Sequence, residues 1–174
     1  MRVEDQLRAQ MMAVLPRLRR FALALTTRSV DADDLVQDTV ERALRSLNQF
    51  VPDTRMDSWM FRIAQNLWID RLRAGKVRGG TVNDMSEAEK LGIDGERAAH
   101  AHIMLNSTLR ALEELPQEQR EVVALVLIDG ISYREAAAVL EVPIGTVTSR
   151  LARAREALAA RVLGAATAGA ETLQ

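Results

Sequence analysis

Three sets of polar residues in this 174-residue chain are spaced so that each would share one helix face. Asp34, Gln37, Asp38 and Glu41 stand at i, i+3, i+4 and i+7, which gathers their side chains into one patch. Four acceptors there could dock a basic protein surface. Favourable interaction of Asp31, Asp33 and Asp34 with a helix dipole explains the acids equally well. Arg62, Asn66, Asp70 and Arg73 line one side of a second helix, with Lys76 close behind. Such a stripe could track a nucleic-acid backbone while Asn66 bonds a base edge. Thr146, Ser149, Arg150 and Arg153 lie near the start of a third helix, where hydroxyls and guanidinium forks suit bases and phosphates in the major groove.

All of this is recognition chemistry. The chain has no glycine loop able to cradle phosphate and no nucleophile beside a matched base, so no enzyme is expected. With no cysteine, disulfides, thiol nucleophiles and Cys-bearing zinc sites are excluded. His100 and His102, two positions apart on a presumed helix, point away from each other, so no metal and no cofactor is expected.

The elements that must position these residues are helical. Ala (26) and Leu (22) dominate while Gly (9) and Pro (4) are few, a composition of strong helix formers and few breakers. The first helix is expected over 5–26, kinked or divided at Pro16. The second is expected from an Asp31 N-cap to about Leu47, and the third from near Asp57 to Gly79. In that third helix Trp59, Met60, Ile63, Ala64, Leu67 and Trp68 form the core side. Periodicity then fades, and helix resumes from about Glu96 to Leu115. After Pro116 comes a helix to Ile128. Ser132 and Glu135 then form a capping box for the short helix SYREAAAVLE, which Val142-Pro143 ends. A last helix follows over 145–162, with Ile144, Val147, Leu151, Ala154 and Leu158 as its buried stripe. Two helices around a tight turn, the first rich in alanine, make a helix-turn-helix.

The formal charge of −1 is a cancellation of local charges. Residues 31–41 carry −5, 55–80 carry +4, 81–97 carry −3 and 141–162 carry +2. This alternation suits a protein that binds DNA with the help of a partner. The longest apolar run, Val122 to Ile128, has seven residues, far below the about 20 that span a bilayer. Glu4 and Asp5 stand where a secretory signal would be apolar. A soluble, cytoplasmic protein without membrane insertion is expected.

Three stretches, DADDLVQDTVERAL, DSWMFRIAQNLWIDRLR and LPQEQREVVALVLIDGISYREAAAVLEVPIGTVTSRLARAREAL, resemble the sigma-70 family of bacterial RNA polymerase sigma factors in its extracytoplasmic-function (ECF) group. The first two are similar to sigma region 2 and the third to region 4. The resemblance implies an all-α fold of two small helical domains joined by a flexible acidic linker. Residues 1–78 would form the region 2 bundle, 79–104 the linker, 105–163 the region 4 helix-turn-helix domain and 164–174 a disordered tail.

The resemblance also implies partners and roles. Asp34, Gln37, Asp38 and Glu41 would dock core RNA polymerase at the clamp of its largest subunit. Arg62, Asn66, Asp70, Arg73 and Lys76 would open and read the −10 element of promoter DNA. Thr146, Ser149, Arg150 and Arg153 would read the −35 element, and an anti-sigma factor would control the whole. Two positions depart from the family pattern: Gln65 stands where an arginine is common, and Thr148 where many relatives carry a base. Two other readings remain open, a sigma mimic that sequesters an anti-sigma factor and a stand-alone helix-turn-helix repressor.

Overall fold

Every regular element is helical in the computed structural model, which describes residues 3–52, 54–77 and 96–171. Side-chain surroundings are described for 3–52, 54–75 and 101–161. The expected acidic linker falls mostly outside these residues, as do the Lys76 side chain and the last three positions.

Helix α1 (Val3–Thr26) is continuous through Pro16. Proline removes the donor that the Met12 carbonyl would use. Pro16 and Met12 both face solvent, so water can serve that carbonyl, while the opposite face stays packed through Met11, Val14, Leu18, Phe21 and Leu25. Of the two expectations at Pro16, the division is excluded, and α1 is one helix.

The chain leaves α1 at Thr27, whose φ is 60°, and enters α2 (Ser29–Arg45) with Arg28 as the N-cap residue. The expected cap, Asp31, lies inside the first turn and pairs with Arg28 at 3.5 Å. The left-handed residue at 27 reverses the chain early and starts the helix two residues ahead of the acid. Ala32, Leu35, Thr39 and Ala43 are buried along α2, and the Thr39 hydroxyl donates to the Leu35 carbonyl at 2.6 Å. A single 3₁₀ turn (Leu47–Gln49) follows.

Helix α3 (Met56–Val77) closes a three-helix bundle. Its fully buried side chains are Met60, Phe61, Ala64 and Gln65, a stripe rotated from the expected one. Phe61 packs on Phe21 with ring centroids 5.0 Å apart. Trp59, Ile63, Leu67 and Trp68 are only half-buried.

Helix α4 (Glu96–Glu113) begins inside the span expected as linker. Helix α5 (Gln117–Val122) widens into a π-helical turn over Val123–Ile128, so the uniform helix expected there is α followed by π. Gly130, at φ 69°, makes the turn into the capping box. The Ser132 hydroxyl accepts from the Glu135 N–H and the Glu135 carboxylate accepts from the Ser132 N–H, which starts α6 (Tyr133–Leu140) as expected. Glu141 ends α6 in the left-handed region at φ 55°.

Helix α7 (Ile144–Glu171) runs past the expected end at 162–163 into the span expected as disordered tail. That segment carries four alanines around Gly164 and Gly169, and the backbone stays helical through Glu171. Val147, Leu151 and Ala154 are buried, whereas Ile144 is 47% exposed and does not belong to the buried stripe.

The buried apolar residues of α1 to α3 and of α4 to α7 form one continuous core. The two halves of the chain are thus packed against each other.

Candidate nucleic-acid and protein interfaces

Asp34, Gln37, Asp38 and Glu41 are all exposed on α2 and share its solvent face, opposite buried Leu35 and Thr39. Two of the three acids among them already hold a base. Asp38 accepts from Arg71 of α3 at 2.5 Å, and Glu41 pairs with Arg45 at 3.3 Å. Asp33, beside the patch, binds Arg19 at 2.8 Å.

On α3, Arg62, Asn66, Asp70 and Arg73 are exposed, as the spacing requires. Arg73 lies 3.8 Å from Asp70 one turn away. An open groove of about 360 Å³ runs beside this stripe. Trp59, Ile63 and Leu67 line it with apolar surface, Arg42, Ser46 and Gln49 flank it at the end of α2, and Arg62, Asn66 and Asp70 supply its polar edge. Trp59 packs edgewise on Phe50 at 5.3 Å, so it belongs to both core and groove. The period of 3.6 assigned it to the core alone, because the flanking turn that exposes one side of the ring is a tertiary feature.

The third set divides. Ser149 and Arg153 are exposed on α7, and Thr146 is half-buried. The Ser149 hydroxyl donates to the Thr146 carbonyl at 3.1 Å. Arg150 is turned inward instead: its side chain is 18% exposed and binds Glu118 of α5 at 3.1 Å. The expectation that all four share the outward face fails at Arg150, since a guanidinium on a long stem can reach back across the helix to an acid on its neighbour.

The structure also brings together charges that the sequence reading did not single out. Asp57, buried in the first turn of α3, accepts from Arg17 of α1 and from Arg55 at 2.6 Å. Burial acts to raise its pKa, but the bonds from Arg55, Arg17 and the Ser58 N–H overcome that and hold it at about 2. Arg17 also reaches Asp129, at 3.5 Å from the carboxylate, as does Arg20 at 3.6 Å. The Asp129 side chain has no exposure, and its carboxylate oxygens have no hydrogen-bond partner among the described residues. Burial pushes its pKa up to about 6 against the pull of those arginines. Burial likewise raises the pKa of Glu121, which faces Gln65 of α3. Gln65, the position expected to lack a backbone-facing charge, is in fact buried between the two halves.

Further pairs cross the same boundary. Arg55 donates to Glu135 at 2.6 Å, and Arg62 binds Glu141. No local spacing signals them, because the partners lie 80 and 79 positions apart.

A three-helix bundle carrying an acidic and a basic face, joined to a helix-turn-helix, matches two described families. The family model for Sigma-70 region 2 covers residues 11–78, and that for Sigma-70, region 4 covers 105–158. The chain is 37% identical over 160 residues to the ECF RNA polymerase sigma factor EcfG of Rhodopseudomonas palustris, covering 92% of this chain and 87% of that protein. It is also 37% identical over 139 residues to the ECF RNA polymerase sigma-E factor of Escherichia coli, covering 75% and 73%. Its fold matches the sigma factor RpoE in its complex with the anti-sigma factor NepR from Bartonella quintana, with a TM-score of 0.74, 30% identity and coverage of 90% and 95%. The chain belongs to the sigma-70 family, and within it to the ECF group of RNA polymerase sigma factors. Among the described residues, no helix is long and apolar enough to cross a membrane.

Proposed function

We propose that the chain is the promoter-specificity subunit of an RNA polymerase, acting in the cytoplasm by binding alone and performing no chemistry. In this reading residues 1–78 form the unit for polymerase docking and the −10 element, and 105–163 the unit for the −35 element, with 79–104 between them. The exposed acids of α2 dock a basic surface on the clamp of the largest subunit. Asp34 and Gln37 are the members of that patch without a partner among the described residues, so they lead the contact.

The observation that carries the −10 role is the groove beside α3. Apolar walls from Trp59, Ile63 and Leu67 suit an unstacked base, and Asn66 on the rim can bond its edge. Arg62, Arg73 and Lys76 then hold the phosphates. Binding of extruded bases supplies the free energy that melting consumes. On α7, Arg153 with Ser149 and Thr146 meets the −35 duplex, while Arg150 steadies α7 against α5. Control by an anti-sigma factor is supported by the match to a relative solved with one.

The test is promoter-dependent run-off transcription with purified chain and core polymerase. Product that requires the chain and disappears with Asn66→Ala is the expected result. Binding to palindromic duplex with no dependence on polymerase would instead make the chain a repressor.

A further inference from the structure

Two rows of residues run side by side along the outward face of α7. Gly145, Ser149 and Arg153 stand four positions apart in one, and Ile144, Thr148 and Ala152 in the other. All six are exposed, and the two rows lie about 100° apart round the helix. The first row carries the Ser149 hydroxyl and the Arg153 guanidinium assigned to the −35 duplex. The second carries no charge. Ile144 opens α7 with 47% of its surface exposed. The Thr148 hydroxyl donates to the Ile144 carbonyl at 3.1 Å, so its proton is spent on the helix and no donor is left there for a base. Ala152 adds only a methyl group.

We propose that Ile144 selects a thymine in the −35 element by covering its C5-methyl group. This rests on the reading of α7 as the −35 helix. A single exposed isoleucine is ordinary on a protein surface; the place of this one gives it a purpose. The first residues of a recognition helix are those that reach base edges, and Ile144 is the first residue of α7. Thymine alone of the four bases presents a methyl group in the major groove. That methyl gains by leaving water for the isoleucine side chain. Cytosine carries an amino donor on the same edge, which would lose its water against Ile144 and find no partner. One side chain thus attracts thymine and rejects cytosine. The neighbouring row, with Ser149 and Arg153, reads hydrogen-bonding groups that Ile144 cannot.

Duplexes enriched from a randomised −35 segment by the full chain bound to core polymerase supply the sequence to test. Replacing each thymine in turn by deoxyuridine removes the methyl group alone. At one thymine this should weaken binding by the parent complex about three- to fivefold. With Ile144→Ala the penalty should fall below about 1.5-fold, because the methyl has already lost its partner. With Ile144→Val, which keeps a branched apolar side chain, it should persist. A methyl penalty at no thymine, or one of equal size in Ile144→Ala, would overturn the proposal. Lower core-polymerase affinity of Ile144→Ala with the methyl penalty unchanged would also overturn it, making the row a protein contact. Arg153→Ala on the same duplex reads the −35 role separately. Loss of affinity there beside a flat methyl scan rejects the Ile144 contact alone. Failure to enrich any sequence, or no effect of Arg153→Ala, rejects the −35 reading beneath it.

Discussion

Arg120 donates to the carbonyl of Leu25 across 95 positions of chain, fastening the start of the second helical group to the end of α1. The same guanidinium donates to the Glu113 carbonyl at 2.8 Å and the Leu115 carbonyl at 3.2 Å. It thereby gathers the ends of α1 and α4 onto α5. Burial lowers its pKa, opposed by Glu113 and Glu121. Arg120→Ala leaves three carbonyls without this donor and should cost about 2–3 kcal/mol. Urea unfolding measures it, and a midpoint equal to the parent's would refute the role.

Asp129 makes stability depend on pH. Its pKa rises to about 6 in the folded chain, so the folded state takes up a proton that the unfolded state binds only near pH 4. Its penalty is absent below the unfolded value, grows as pH rises towards 6, and is complete above it. The charged groups facing it are Arg17 and Arg20 of α1 and Asp57 of α3. Asp57, held at about 2, works in the opposite sense, contributing stability above pH 4 that is lost as pH falls towards 2. Asp129→Asn should therefore gain stability over the parent by roughly 2–3 kcal/mol at pH 7, and by little at pH 4. Parallel unfolding curves at the two pH values would show that Asp129 does not titrate in this window.

Ser132→Ala removes one side of the capping box that starts α6. A loss of about 1 kcal/mol is expected, with reduced protection of the Glu135 amide in hydrogen exchange. Protection like the parent's would mean that packing alone holds this turn.

The two arginines of α7 should behave differently. Arg153→Ala should weaken binding to a −35 duplex by about 1–3 kcal/mol and relax base preference. Arg150→Ala should act mainly through the lost Glu118 contact, lowering thermal stability while moving duplex affinity less. A larger affinity loss from Arg150→Ala would show that its inward pose is given up on DNA.

Asp34→Ala should lower affinity for core polymerase more than Asp38→Ala, because Asp38 already spends its charge on Arg71. Competition for core polymerase against a labelled parent chain distinguishes them, and equal affinity of Asp34→Ala with the parent would sink the docking assignment.

What was legible in the sequence was local. The Ser132 and Glu135 box, the helical class, and the shared faces of α2 and α3 follow from spacing within one or two turns. Asp31 was misplaced as a cap because the turn is set by the backbone of Thr27, a residue type that does not announce a positive φ. Arg150 was misplaced because its partner lies on α5, and Ile144 because spacing along one helix does not show how far a neighbour covers its first turn. The pairs of Arg62 with Glu141 and Arg55 with Glu135 carry no periodic signal at all, since they join separate helical groups. The Trp59 groove shows the same limit: an apolar residue at helical spacing can serve the core on one side and open surface on the other.

The end of α6 has one more consequence. Glu141 sits at φ 55°, a conformation that costs a non-glycine residue about 1 kcal/mol. Glycine there would ease the turn and steady the recognition unit, yet it would leave Arg62 without its internal acid. Local comfort and global restraint thus pull position 141 in opposite directions. A Glu141→Gly chain would be sturdier in its helix-turn-helix and looser where the two halves meet, so that one substitution would strengthen a unit and weaken its seating.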